Sequence, residues 1–179
     1  MKLSHLTACT LLALGSFACA STGSQVTVQE IARVPTAEHN DLHSAIGEWV
    51  GTVIWVMPDG SEQEASATDT IMAHGPFWTK SEFTMDMGPM GTYMGHGVQG
   101  YDPGSGKYLG TWIDSMGSYI AHMEGEMDDA GNFVNRWDAP NMEGVMEANH
   151  SVTVRTKDSY DMTFYAEGKR TMDINMKRK

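Results

Sequence analysis

The sequence predicts an all-β chain, one antiparallel sheet of about ten short strands that closes as a barrel or folds as a sandwich. Three observations predict it. Turn chemistry recurs, as in Asp102-Pro103-Gly104-Ser105-Gly106 and Asp114-Ser115-Met116-Gly117, where Asp bonds its own backbone, Pro presets φ and Gly accepts positive φ. The stretches between turns carry β-favouring residues, Tyr108, Thr111, Trp112 and Ile113 among them. These stretches follow one another at roughly 8–15-residue spacing, the rhythm of a meander.

The elements follow in order. Thr36 reads as the N-cap of a short helix, Glu38 complements the positive end of its dipole, and Gly47 ends it. His39, Leu42, His43 and Ile46 share one face, about one apolar turn, enough to plug the end of a sheet. Strands are expected over 48–57, 62–73, 77–87, 93–101, 107–113, 118–127, 133–138, 145–155, 160–166 and 170–178. In the first, Trp49, Gly51, Val53 and Trp55 alternate onto one face.

The chain divides into a leader (1–20), a linker (21–35) and one domain (36–179). In the leader Lys2 precedes an apolar run from Leu6 to Leu14, the pattern of an export signal. Ala18-Cys19-Ala20 fits cleavage after Ala20, and Cys19 is the alternative lipidation site of an envelope lipoprotein. The expected location is therefore the periplasm or outer membrane, alternatively secretion, with a lipidated Cys19 as the only route to membrane attachment. Both cysteines, Cys9 and Cys19, fall in the leader, so the domain contains no disulfide and must be held by its core. The full chain carries a formal charge of −11; beyond the leader 11 basic residues face 23 acidic ones, a balance of −12. No basic stripe exists, which argues against nucleic acid as a partner.

Two sets of residues carry a family resemblance. Gly47-Glu48-Trp49 at the start of the first strand, with Arg178 near the end of the last, is similar to the G-x-W and late arginine of calycins, the lipocalin-like barrels. That resemblance implies that Trp49 and Arg178 close one barrel end through a cation–π contact worth about 0.5–2 kcal/mol. His39 with Leu42, Trp55, Gly97, Gly100-Tyr101-Asp102, Trp112-Ile113-Asp114-Ser115, Gly125 and Lys177-Arg178-Lys179 occur in an order that resembles the bacterial family known as domain of unknown function 1579. It implies a single antiparallel calycin-like β-barrel with a short N-terminal helix closing one end, and leaves activity open.

No nucleophile elbow, P-loop or dinucleotide fingerprint is present, so no catalytic residue is assigned and no enzyme is expected. The leading expectation is binding of a small apolar molecule, with Trp55, Met85, Met87, Tyr93 and Trp112 as candidate pocket residues. The alternative uses the run Met85, Met87, Met90, Met94 and His96, whose thioethers and imidazole suit Cu(I) in an exported protein without thiols. Apart from Cu(I) no cofactor is expected: the histidines show no zinc spacing, and His122 as a haem ligand has no accompanying motif. A third reading is an envelope-associated structural module with a filled interior and no ligand. The sequence assigns no oligomeric state.

Overall fold

The computed structural model describes residues 34–141 and 143–179; the leader with Cys19 and nearly all of the linker lie outside the described residues. Helix α1 (Ala37–Ser44) leads into β1 (Gly47–Val56), β2 (Glu62–His74) and β3 (Trp78–Asp86). A single 3-10 turn at Gly88–Met90 precedes β4 (Thr92–Asp102) and β5 (Lys107–Asp114). The set is completed by β6 (Ala121–Met127), β7 (Phe133–Pro140), β8 (Met146–Arg155), β9 (Ser159–Ala166) and β10 (Lys169–Arg178). Each strand pairs antiparallel with its sequence neighbour, and β1 pairs with β10, so the sheet is a closed barrel rather than a sandwich. Closure leaves no open sheet edge for another chain to extend.

The expected strands lie where the turn chemistry put them, with two local corrections. β6 starts at Ala121 rather than 118, because Asp114 and Ser115 hold the chain in a turn. The Met116 amide donates to Asp114 Oδ1 and the Met94 amide to Ser115 Oγ, leaving Tyr119 and Ile120 in an exposed loop. The helix ends at Ser44, and Gly47 opens β1 instead of capping the helix. Gly47 has φ +150°, and a Cβ there would lie 2.4 Å from Arg178 Nη1, so glycine is the residue that lets the guanidinium approach.

The register sets Trp49 opposite Arg178 on β10. The Arg178 guanidinium carbon lies 4.2 Å from the centroid of the Trp49 ring. The same group donates to Ile46 O (2.6 Å), Ser44 O (2.9 Å) and Lys157 O (3.0 Å), while Trp49 Nε1 donates to Ala45 O at 2.9 Å. The carbonyls left over at the end of α1 thus meet a cation and an indole N–H, which offsets both their unmet bonding and the negative end of the helix dipole. At the same end of the barrel Arg155 Nη2 donates to Asp41 Oδ2 (2.7 Å) and Asp41 O (3.1 Å), tying α1 to the end of β8.

One side of the barrel is packed solid. Val53, Trp49 and Met176 are essentially inaccessible, and Ala67, Phe83, Met85, Tyr160 and Ile174 complete one contiguous cluster. Strand alternation explains it: odd-numbered residues of β1 and β2 and even-numbered ones of β10 turn inward. β8 reverses the usual choice. Ser151 and Thr153 are buried inside the barrel while Val154 is exposed outside, because the pairings Asn135↔Ser151 and Ser151↔Phe164 fix the register.

Candidate functional site

The other side of the barrel is hollow. A cavity of about 500 Å³ touches every strand except β1, and Leu42 of α1 with Ala45 just after it roofs one end. Eight aromatic side chains line it. Phe83 meets Tyr93 and Trp112 edge-on at 6.2 and 6.3 Å, Tyr108 meets Phe133 at 5.0 Å, and Trp137 meets Phe164 at 5.8 Å.

Trp112 lies across β4 because that strand has no side chains beneath it. A Cβ on Gly95 would come within 2.1 Å of the indole, and one on Gly97 within 2.8 Å. These glycines let a large ring lie flat against the sheet and leave the space above it open. Trp112 Nε1 donates to Tyr93 OH (3.1 Å), and Tyr93 OH donates to Asp114 Oδ2 (3.2 Å), so both rings are fixed at the mouth of the barrel away from α1. Burial pushes the Tyr93 phenol well above its ordinary range, and burial with nearby carboxylates pushes Tyr108 up to about 12. Both phenols stay neutral at physiological pH.

Two sets of buried polar side chains line this space, on strands from opposite sides of the ring. On β2, Asp69 is 6% exposed and accepts from Ser81 Oγ (2.6 Å) and Tyr160 OH (3.0 Å). Burial raises its pKa, although the two hydroxyl bonds oppose the rise. On β7 and β8, Asn135 and Thr153 also line the cavity. Asn135 Oδ1 and Thr153 Oγ1 are buried and find no hydrogen-bond partner among the described residues, while Asn135 Nδ2 contacts Met123 Sδ at 3.6 Å.

The expected pocket residues separate into two groups. Tyr93 and Trp112 line the cavity. Trp55, Met85 and Met87 are not among the lining residues: Met85 lies inside the packed cluster, and Trp55 and Met87 pack against it. The alternative metal set is divided by the sheet. Met85 points inward and is 5% exposed, whereas Met90 and Met94 are 72% and 58% exposed, and His96 shares the outer face with Met94. The five are therefore not brought together around one point. His122 lies on the outer surface of β6, and among the described residues no group of three or more His, Asp or Glu side chains converges as a metal site.

Alternation alone did not single out Asp69, Asn135, Ser151, Thr153 or Tyr160. The signal was present in part: Asp69 occupies an inward position between Ala67 and Ile71, an acid in an otherwise apolar row. β8 gave the opposite signal, since its apolar valines face out.

The family model described as protein of unknown function (DUF1579) matches residues 34–178. The chain belongs to the DUF1579 family. Among solved structures, the S-type phycobiliprotein lyase CPES from Guillardia theta is similar, with a TM-score of 0.54 at 12% identity over 80% of this chain and 93% of that one. At that identity the likeness carries the calycin-like barrel and nothing more. No curated protein matches the chain. In this DUF1579 member the hollow side of the barrel is the candidate site, and the Trp49–Arg178 contact closes the end at which α1 sits.

Proposed function

We propose that this protein binds and carries a small, mostly apolar molecule inside its barrel, outside the cytoplasm. The observation that carries the reading is the cavity itself: about 500 Å³, within the usual span of ligand sites (roughly 300–1,000 Å³), with aromatic walls and a few fixed polar groups. A structural module with no ligand would call for a filled interior, and the Cu(I) reading would call for converged thioethers. That a barrel of similar fold bears the name of a phycobiliprotein lyase supports a small-molecule role. The location rests on the leader, and mass spectrometry of the mature N-terminus distinguishes cleavage after Ala20 from lipidation at Cys19.

The test uses N-phenyl-1-naphthylamine, a neutral fluorescent probe. Binding should enhance probe emission and quench tryptophan emission, because Trp112 and Trp137 both line the cavity. Trp112→Phe should weaken that quenching. A protein that neither enhances the probe nor shifts its melting temperature at saturating probe is not a carrier of this kind.

A further inference from the structure

Resting on that reading, we propose that the cavity selects a mostly apolar molecule bearing nitrogen-borne hydrogen-bond donors, an amine or an N–H compound, held between Asp69 on one wall and Asn135 with Thr153 on the other. The barrel order places β2 on the opposite side of the ring from β7 and β8. Both walls face the same cavity. Each holds acceptors that the fold does not use up; those of Asn135 and Thr153 lie just beneath the cavity surface, where a side-chain rotation brings them to a ligand.

Asp69 accepts two hydroxyl bonds, and a carboxylate has about four lone-pair sites, so two remain for a ligand. Among the described residues no lysine, arginine or histidine is bonded to it. A buried carboxyl without a cation is costly to maintain unless a donor completes it. The second wall is independent of the first. Asn135 and Thr153 are 9% and 8% exposed, and each leaves a side-chain oxygen unpartnered in the described structure. The Asn135 amide nitrogen is turned to the Met123 sulfur, which directs its oxygen the other way. The reversed facing of β8 is what brings Ser151 and Thr153 into the cavity at all. A barrel intended only for hydrocarbon would gain by turning the valines of β8 inward. Among the described residues Arg155 is the one cationic side chain in the cavity wall, and it is bonded to Asp41; Asp69, Asp114 and Asp41 line the same wall. An anionic head group therefore meets repulsion, and a donor nitrogen meets acceptors on both walls.

The experiment displaces bound N-phenyl-1-naphthylamine with three probes of one chain length: dodecylamine, dodecanamide and dodecanoate. The amine and the amide should compete at least tenfold better than the acid, the size of one charge-assisted or buried hydrogen bond. In Asp69→Asn that advantage should fall to roughly threefold or less, although the chain's overall charge hardly changes. Thr153→Val is the second variant. It should bind the amine and the amide several-fold more weakly, yet raise the melting temperature of the empty protein, because it removes a buried hydroxyl that has no partner. A purely structural Thr153 would give no such opposition of sign. Equal competition by the three probes, an undiminished preference in Asp69→Asn, or unchanged amine and amide binding in Thr153→Val would overturn the proposal while leaving the carrier reading in place. Failure of the fluorescent probe itself to bind would overturn both.

Discussion

Two indoles show how differently the halves of this barrel are built. Trp49 is 1% exposed, with Arg178 on one face, Tyr160 edge-on at 5.2 Å, and its N–H on Ala45 O. Trp112 also has a bonded N–H and an edge-on aromatic neighbour, but one side of its ring lies on bare glycine backbone and the cavity is open above the other. The same side chain thus serves closure in one half and wall in the other. What separates them is the neighbours: Val53 and Met176 belong to the filled cluster around the first, and Gly95 and Gly97 leave bare backbone beneath the second.

Truncating each indole is the most direct way to break this contrast. Trp49→Ala should cost about 3–5 kcal/mol in urea unfolding, the range for a buried aromatic whose site cannot collapse. Trp112→Ala should cost about 1–2 kcal/mol, since atoms facing a void have fewer contacts to lose. Equal losses would mean that the hollow side is as tightly supported as the packed one. Next in size, Arg178→Lys should cost about 1–3 kcal/mol, because a lysine keeps the charge but cannot lie over the indole while reaching the carbonyls of Ser44 and Ile46. Its expected signature is loosened amide exchange in α1 with β4–β6 unaffected. Gly97→Ala should cost about 1–2 kcal/mol by pushing the Trp112 ring off the sheet. It should also shift the emission maximum of that tryptophan and reduce probe binding, effects that Gly60→Ala, in an exposed turn, should lack.

The smallest effect sharpens the comparison at the boundary between the halves, where Asp69 and Tyr160 meet. The folded state raises the Asp69 pKa, so its contribution is fully present below the ordinary Asp range and is lost as pH rises through the raised value. Asp69→Asn stays neutral throughout. The variant should therefore gain on the wild type as pH rises from about 4 towards 7, and the two melting curves should converge on acidification. A difference independent of pH would show that the Asp69 carboxyl is ordinary.

Most of the barrel was legible in the sequence because turns and closure depend on local chemistry. Asp-Pro-Gly and Asp-Ser-Met-Gly stretches mark where strands reverse, and Gly47-x-Trp49 with Arg178 marks where the ring shuts. The cavity was legible only in part. Tyr93 and Trp112 stand out as aromatics on strands beside glycines, whereas Trp55, Met85 and Met87 read as pocket residues too and do not reach the cavity wall. Which inward positions meet filler and which meet space depends on residues across the ring, distant in sequence. Asp69 and Thr153 were hidden for the same reason: a single polar residue in an alternating strand reads as solvent-facing until the register is known.

The pairing of β1 with β10 sets when this protein can become whole. Neighbouring strands meet across short loops, so a meander can assemble progressively as the chain lengthens. Its first and last strands, however, are joined by the largest sequence separation in the domain, and a non-local contact of that kind is the slow one to form. Until the strand bearing Arg178 arrives, Trp49 has no cation above it, the carbonyls at the end of α1 are unmet, and β1 is a bare edge able to recruit another chain. The interval before the ring shuts is when the protein is most exposed to aggregation and most dependent on being kept apart from its own copies.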